Sequence, residues 1–216
     1  IYLHGFASSA GSTKGTFLSS KLSDKGVTLH SPDFNEPDFS TLTITRMVVQ
    51  VEEMVAGLPA GPVALIGSSL GGFVALQVAM KRGVDRLVLL APAIDFTGNR
   101  LRELGDRGLD AWEQTGHLNI FHYAYGRVVP VHYGLYTDAA RYSCTEAQLS
   151  MPIQIFQGRR DTAVSPQSVE RWASQRPNVE LHLLDDDHQL ESSLDYIWRE
   201  MERFLMPGAR PRMRPL

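Results

Sequence analysis

The sequence predicts an α/β fold built on a mostly parallel sheet flanked by helices. Short apolar runs alternate with longer amphipathic stretches along most of the chain, which is typical of repeated βαβ units. Several of these runs are continuously apolar, as expected of parallel strands that are buried on both faces. The chain has 216 residues, of which 43% are hydrophobic, and this is enough for a single domain with one sizeable core.

The first elements can be placed from their boundaries and from the spacing of apolar residues. A strand covers residues 1–3, and a helix follows over 14–25, where Gly26 is a suitable C-terminal stop. A short run predicts a second strand over 27–30. Residues 44–58 carry apolar side chains at helical spacing, which predicts an amphipathic helix.

The central elements follow directly. Residues 62–66 form an apolar run that predicts a buried strand. The stretch 70–81 consists mainly of small and apolar residues, so a helix there can lie close against a sheet. Another buried strand is expected over 86–91. After an irregular stretch the alternation resumes, with strands predicted over 153–157 and 179–184 and helices over 166–175 and 190–205.

The irregular stretch, residues 93–150, is predicted to be an insertion between two core strands that forms a cap above the sheet. Within it, 118–123 and 127–133 can pair as a hairpin. The insertion is rich in tyrosine. We expect Trp112 and Tyr133 to face the substrate and at least half of the aromatic side chains to hold the cap together. The predicted organisation is a core of residues 1–92 and 151–206, the cap, and a Pro- and Arg-rich tail over 207–216.

The most informative motif is a Gly-x-Ser-x-Gly pattern at 67–71, between a predicted strand and a predicted helix. A sharp strand-to-helix turn would lift the hydroxyl of Ser69 clear of the sheet, and the flanking glycines would avoid clashes in that turn. The motif therefore predicts Ser69 as a nucleophile. Ser68 competes for this role but has the wrong spacing to the glycines, and a serine that only caps the helix is the structural alternative.

A serine nucleophile needs a base, usually a histidine that a carboxylate orients. His188 is the candidate base, since it follows the last predicted strand, whereas His182 within that strand is expected to be structural. Asp161 is the candidate acid because it follows the strand over 153–157, at the sheet edge where catalytic groups gather. The three consecutive aspartates at 185–187 remain alternatives for the acid. Their side chains point apart, so we assign no metal.

The segment after the first strand supplies the remaining candidate groups. The backbone N–H groups of Phe6 and Leu70 are the expected donors of an oxyanion hole next to Ser69. Gly5 would let the backbone approach the substrate. His4 is expected to be a structural hydrogen-bonding residue and not a second base.

Together these segments resemble small serine esterases and thioesterases of the α/β-hydrolase superfamily. The residues that match are His4-Gly5-Phe6, 67–72, 158–161 and Asp187-His188. The string at 4–9, followed by 11–15, is similar to compact bacterial esterases and to the mitochondrial acyl-protein thioesterase type.

The resemblance implies the α/β-hydrolase fold and a catalytic triad of Ser69, Asp161 and His188. It also implies hydrolysis of esters or thioesters without a cofactor. Larger members of the superfamily begin with additional strands before the His-Gly strand. A reduced sheet of about six strands is therefore expected here.

The composition argues against nucleic acids and membranes as general binding partners. A net charge of −3 and a pI near 6.2 predict no general attraction to nucleic acid or to anionic membranes. No apolar run reaches the roughly 20 residues of a membrane span. The single cysteine, Cys144, excludes an intrachain disulfide and favours a reducing compartment, so we expect a cytoplasmic protein.

The expected activity is hydrolysis of small-molecule carboxylic esters with short to medium or aromatic acyl groups. A thioesterase or a peptidase on the same triad is the enzymatic alternative. A non-catalytic α/β-hydrolase that binds a small molecule is the alternative from another class. The oligomeric state stays open.

Overall fold

The structure, a computed structural model, describes residues 1–96 and 105–207. Residues 97–104 of the predicted cap and 208–216 of the predicted tail lie outside the described residues. The strands are β1 (Tyr2–Leu3), β2 (Ala64–Ser68), β3 (Arg86–Leu90), β4 (His117–His122), β5 (Arg127–His132), β6 (Ile153–Gly158) and β7 (Val179–Leu184). The helices are α1 (Thr13–Ser23), α2 (Ile44–Gly57), α3 (Leu70–Lys81), α4 (Gly105–Thr115), α5 (Gly134–Ala139), α6 (Pro166–Ser174) and α7 (Leu194–Leu205).

Five strands pair in parallel to form the central sheet, in the order β1-β2-β3-β6-β7. The predicted α/β fold with a mostly parallel sheet is therefore confirmed, although within the described residues the central sheet has five strands and not about six. In the part of the chain that the structure describes, no helix is both long enough and apolar enough to cross a membrane.

Both faces of the sheet are covered, which explains the continuously apolar strands. Ile66 and Val88 pack on the face that α1 and α7 cover. Leu65 and Leu87, one position earlier in each strand, pack with α2, α3 and α6 on the opposite face. Successive side chains of a strand point to opposite faces, so a strand between two helical layers has to be apolar at nearly every position.

The strand predicted over 27–30 is not formed. This segment runs beside β1 and shares one backbone hydrogen bond with it, from the Tyr2 N–H to the His30 carbonyl at 2.7 Å. The Tyr2 carbonyl, which a further strand would need as an acceptor, instead accepts a hydrogen bond from the Ser31 hydroxyl at 2.8 Å. A side chain thus ends the ladder after a single bond, and β1 is the edge of the sheet.

The other predicted core elements are confirmed, with ends that shift by one or two residues. The helix over 70–81 and the strand over 179–184 match α3 and β7 at both ends. The helix expected over 190–205 is divided into a short 3₁₀ turn at Glu191–Ser193 and α7.

The insertion contains α4, the antiparallel hairpin β4–β5 and α5, all between β3 and β6. The predicted hairpin is confirmed, and its two strands pair over six positions. Its turn lies above the carboxyl edge of the central sheet, where the Tyr123 N–H donates to the Ala7 carbonyl at 2.9 Å. The insertion is thus tied by a backbone hydrogen bond to the segment that follows β1.

Two glycines allow α3 to begin directly against the sheet. A Cβ added at Gly71 would overlap the Leu3 carbonyl of β1, and one added at Gly67 would lie 2.6 Å from the Gly72 Cα. Side chains at these positions would push the first turn of α3 away from β1 and β2. The glycines of the motif therefore place the residue between them at the end of β2.

Candidate active site

The predicted site residues follow four different strands of the sheet. Phe6 follows β1, Ser69 follows β2, Asp161 follows β6 and His188 follows β7. Parallel strands place their carboxyl ends at one edge, so these segments converge; Ser69 and His188, for example, meet although they are 119 positions apart in the sequence.

Backbone strain is concentrated at this same edge. Among the described residues, the non-glycine positions with positive φ are Ala7, Ser69, Ala91 and Leu190. They follow β1, β2, β3 and β7, respectively. Such conformations persist only where the surrounding structure holds them, and they cluster at functional sites.

The conformation of Ser69 is the sharp turn that the motif predicts, with φ 52° and ψ −116°. Its N–H donates to the Leu90 carbonyl at 2.9 Å, and its carbonyl accepts from the Ala93 N–H at 3.1 Å. The side chain makes no capping hydrogen bond to α3. A purely capping role is therefore not what the hydroxyl of Ser69 performs.

The hydroxyl of Ser69 instead meets His188. The Ser69 Oγ lies 3.1 Å from His188 Nε2, and His188 Nδ1 lies 2.8 Å from Asp161 Oδ2. Because the carboxylate accepts the proton on Nδ1, the free electron pair of Nε2 faces the serine. The structure brings the three residues into one continuous hydrogen-bonded chain.

Asp161 is held by donors on both carboxylate oxygens. Oδ1 accepts the N–H groups of Ala163 and Val164, each at 2.8 Å, and Oδ2 accepts the Gln157 side-chain amide at 2.8 Å besides His188. Burial raises the pKa of Asp161, but the hydrogen bonds and the nearby His188 outweigh burial, so the pKa lies below its ordinary value. The group is a fixed carboxylate that can orient a histidine.

Gln157 was not predicted as a site residue. A signal existed in the sequence, because a glutamine within the apolar strand β6 has to find a buried partner. The sequence does not reveal which partner it finds.

The loop that carries His188 packs directly on the end of β6. A Cβ added at Gly158 would lie 2.6 Å from the Asp186 carbonyl, so a side chain there would push the loop away from Asp161. Lys14, nearly buried in the first turn of α1, donates from Nζ to the Gln189 carbonyl at 2.8 Å. A small residue below the loop and a lysine beside it thus fix the position of His188.

The three consecutive aspartates make local contacts and do not touch His188 as an acid. Asp185 pairs with Arg160. Asp186 accepts the N–H of Asp187 at 2.8 Å, and Asp187 accepts the N–H of Gln189 at 2.8 Å. Turn formation accounts for these contacts, and of these four aspartates it is Asp161 that lies within hydrogen-bond distance of His188.

Two other histidines have structural environments. His4 donates from Nδ1 to the Gly5 carbonyl at 2.9 Å and accepts the Phe34 N–H on Nε2 at 3.0 Å. His182 lies on β7, where Nδ1 is 3.0 Å from the Tyr196 hydroxyl. Neither ring contacts Ser69, which agrees with the structural roles expected for them.

The segment after β1 lies beside the nucleophile. A Cβ added at Gly5 would be 3.4 Å from Ser69 Cβ, and both Gly5 and Phe6 line the cavity in front of Ser69. Leu70 opens α3, so its N–H belongs to the first turn, where helix N–H groups have no intrahelical acceptor. The two residues expected to supply the oxyanion donors, Phe6 and Leu70, thus both line the cavity at Ser69.

A cavity of about 880 Å³ opens in front of Ser69 and His188. This volume is within the range of small-molecule sites. The lining of the cavity combines apolar side chains with hydroxyl-bearing side chains from the segment after β1 and the start of α1. The apolar residues include Leu70, Ile94, Phe96, Val164 and Val169, and the hydroxyl-bearing residues include Ser8, Ser9, Ser12 and Thr13.

Trp112 and Tyr133 do not line this cavity. The expectation that these two side chains face the substrate is therefore not met at this cavity. Trp112 is 2% exposed and donates its indole N–H to the Val131 carbonyl at 3.1 Å. Its ring packs edge-on against Tyr133 at 5.7 Å between ring centroids, so the two form an aromatic core within the insertion. The hairpin turn contributes Tyr123 and Ala124 to the cavity instead.

Comparison with known proteins places the chain in a family. Residues 1–205 match UPF0227, described as an uncharacterised protein family. No match to a curated protein was found.

Similar solved structures share the fold at low identity. Alpha/beta hydrolase domain-containing protein 10 from mouse is 19% identical, with a TM-score of 0.81 over 95% of this chain and 88% of that one. Est1E from Butyrivibrio proteoclasticus, solved with ferulic acid bound, is 18% identical, with a TM-score of 0.78 over 95% and 87%. An esterase from Pyrococcus furiosus is 21% identical, with a TM-score of 0.60 over 93% and 81%. The chain therefore has the α/β-hydrolase fold and belongs to the family UPF0227.

Proposed function

We propose that the protein hydrolyses carboxylic esters through an acyl-enzyme on Ser69. The observation that carries this proposal is the hydrogen-bonded chain from Ser69 Oγ to His188 Nε2 at 3.1 Å and from His188 Nδ1 to Asp161 Oδ2 at 2.8 Å. This geometry is what a serine needs to lose its proton during attack on a carbonyl carbon. The esterases among the similar structures support the same class of reaction.

The proposed reaction has two halves. His188 Nε2 takes the proton of Ser69 as Oγ attacks the acyl carbon, and the N–H groups of Phe6 and Leu70 stabilise the negative oxygen that forms. His188 then gives this proton to the leaving alkoxide, which departs as the alcohol, and leaves the acyl group on Ser69. In the second half a water molecule gives a proton to His188 and attacks the acyl-enzyme, and the serine regains its proton as the carboxylic acid departs.

The cavity lining supports an acyl group of short to medium length or an aromatic acyl group. Leu70, Ile94 and Phe96 contribute apolar side chains to the lining, while Ser8, Ser9, Ser12 and Thr13 contribute hydroxyl groups. Such a cavity favours a substrate with one apolar and one polar part. We assign the cap to residues 93–150 and the catalytic core to 1–92 and 151–206, with Tyr123 of the hairpin turn as part of the substrate wall.

The decisive experiment compares wild type with Ser69→Ala. We expect wild type to hydrolyse p-nitrophenyl butyrate and to react covalently with a fluorophosphonate probe, and Ser69→Ala to lose both. The matched control is Ser68→Ala, which removes the neighbouring hydroxyl and should leave fluorophosphonate labelling intact. Wild-type turnover by purified, folded Ser69→Ala would disprove the mechanism.

A substrate panel separates the enzymatic alternatives. Initial rates should be compared for p-nitrophenyl esters of increasing acyl length, an aryl ester, an acyl thioester and an aminoacyl anilide. We expect the highest kcat/KM for the esters. A preference for thioesters or anilides would assign the same triad to a thioesterase or a peptidase, and failure of wild type to react with the fluorophosphonate would indicate a non-catalytic binding protein.

A further inference from the structure

The segment that carries the proposed oxyanion donor contains a strained residue directly after it. We call residues 5–9 the oxyanion segment. Ala7 within it has φ 54° and is buried, a conformation that residues with a Cβ adopt only where neighbours hold it. Any drift of this backbone would move the N–H of Phe6 relative to Ser69. The contacts of the segment therefore bear on its proposed catalytic role.

Two hydrogen bonds from residues distant in the sequence hold carbonyl groups of this segment, in addition to the local bonds from His4 Nδ1 to the Gly5 carbonyl and from the Ser12 N–H to the Ser9 carbonyl. The Tyr123 N–H of the cap hairpin donates to the Ala7 carbonyl, and the Asn35 side-chain amide donates to the Ser8 carbonyl, each at 2.9 Å. Because a peptide unit is planar, these two bonds fix the units that join Ala7 to Ser8 and Ser8 to Ser9, and they restrain the N–H of Phe6 through the chain. These bonds hold the backbone immediately after Phe6 against the cap side of the site.

Asn35 is in turn oriented by His122, the last residue of β4. His122 Nδ1 accepts the Tyr125 N–H at 3.3 Å, so the proton of the neutral ring is on Nε2, which lies 3.0 Å from Asn35 Oδ1. With its oxygen facing His122, Asn35 has to present its NH₂ group to Ser8. Burial lowers the pKa of His122, which favours this neutral state.

Water cannot easily replace these bonds, because Asn35 is 4% exposed and His122 is fully buried. The rings connect the same groups, since Phe39 packs edge-on against His122 at 4.5 Å and lies 5.4 Å from the ring of Phe6. The polar network and the aromatic contacts lead to the same backbone segment.

On the basis of the proposed esterase function, we propose that Asn35 and His122 are positioning residues that hold the oxyanion segment in its active conformation. They act through the Ser8 carbonyl and do not touch the substrate. The cap hairpin thus does more than cover the cavity: one of its residues sets the geometry of the oxyanion hole. A purely structural role would stabilise the hairpin and leave turnover unchanged.

Asn35→Asp is the most selective test. Aspartate keeps an oxygen for His122 Nε2 but replaces the NH₂ group that donates to the Ser8 carbonyl. We expect kcat for p-nitrophenyl butyrate to fall by about 10- to 100-fold, less than the loss of a whole oxyanion donor, and KM to stay within about threefold. The fluorophosphonate labelling rate should fall in parallel, because the probe needs the same oxyanion hole.

Asn178→Asp is the matched control. The Asn178 amide also donates to backbone carbonyls, those of Leu149 at 2.9 Å and Met151 at 2.6 Å, but none of these three residues lines the catalytic cavity. We expect a lower Tm for Asn178→Asp with kcat within about twofold of wild type. A similar loss of Tm in the two variants with a loss of kcat only in Asn35→Asp supports the proposal.

A second pair of variants decides the question if Asn35→Asp does not fold. His122→Leu removes the donor that orients Asn35, whereas His122→Gln retains an N–H donor. We expect His122→Leu to lower kcat by about tenfold and His122→Gln to restore most of the loss. Equal kcat in these two variants, or an unchanged kcat in Asn35→Asp, would overturn the proposal while Ser69-dependent hydrolysis persists. Absence of Ser69-dependent hydrolysis in wild type would reject the proposed function and this inference together.

Discussion

Replacing Asp161 with asparagine should move the proton of the neutral His188 ring from Nδ1 to Nε2. The backbone N–H groups of Ala163 and Val164 both donate to Asp161 Oδ1 at 2.8 Å, so the oxygen of a new amide has to occupy that position. Its NH₂ group then faces His188 Nδ1, which becomes an acceptor and leaves the proton on Nε2. A protonated Nε2 cannot take the proton of the nucleophile.

The structure also indicates that Asp161→Asn is tolerated by the fold. Gln157 now donates its NH₂ to Oδ2 at 2.8 Å, and its own side-chain oxygen is buried without a hydrogen-bond partner. Rotation of this amide would present its oxygen to the new NH₂ group. The loss should therefore appear in turnover and not in folding.

The expected loss in kcat is about 10⁴-fold, or roughly 5 kcal/mol of transition-state stabilisation, as for serine hydrolases whose histidine is held in the wrong tautomer. The assay is steady-state hydrolysis of p-nitrophenyl butyrate, with Tm measured in parallel. Asp185→Asn is the control, since Asp185 is exposed and pairs with Arg160 outside the triad. If Asp161→Asn kept more than about a tenth of wild-type kcat, Asp161 would not be the residue that orients His188.

The remaining predictions concern the scaffold. Burial lowers the pKa of both His4 and His122, so the unfolded chain binds protons more readily than the folded protein. The free energy of unfolding should therefore be constant with respect to these two groups above about pH 6.5 and decrease below it. Equal urea midpoints at pH 7.5 and pH 5.5 would contradict this prediction. Gly71→Ala should lower the free energy of unfolding by about 3 kcal/mol, because the added Cβ overlaps the Leu3 carbonyl of β1. Gly57→Ala should raise the free energy of unfolding by about 0.5 kcal/mol, because a Cβ added there has no atom within 4 Å. Denaturant titration measures both changes. Burial raises the pKa of Cys144 to about 12, so N-ethylmaleimide at pH 7.5 should alkylate the unfolded chain and spare the native protein.

Local pattern was sufficient for most of the core. Residues 70–81 were predicted as a helix and form α3 with the same ends, because small and apolar side chains in that order suit a helix packed on a sheet. The strand expected over 27–30 does not form, for a reason that lies outside this segment. The Ser31 hydroxyl donates to the Tyr2 carbonyl, which a strand paired with β1 would need as an acceptor. Propensity describes a segment, whereas a strand also requires a partner with free hydrogen-bonding groups.

The cap shows the same limit more clearly. Its aromatic composition predicted rings that bind substrate and rings that hold the cap together, without a reliable way to assign each one. Trp112 and Tyr133 pack on each other inside the insertion, while Tyr123 lines the cavity. The way an irregular segment packs on the core decides which of its side chains face a cavity. The spacing of residues within the segment does not predict this packing.

The sequence by itself determined the α/β fold and the identity of Ser69 as the candidate nucleophile, because the glycine spacing, the strand before it and the helix after it are all local. The sequence also favoured Asp161 over the aspartates at 185–187 as the candidate acid, but only the tertiary structure revealed its hydrogen bond to His188 and the contacts of Gln157, Asn35 and His122. These contacts join residues 4 to 119 positions apart. All loops that follow the parallel strands lie at the carboxyl edge of the sheet, and the order of the strands decides which of these loops are neighbours.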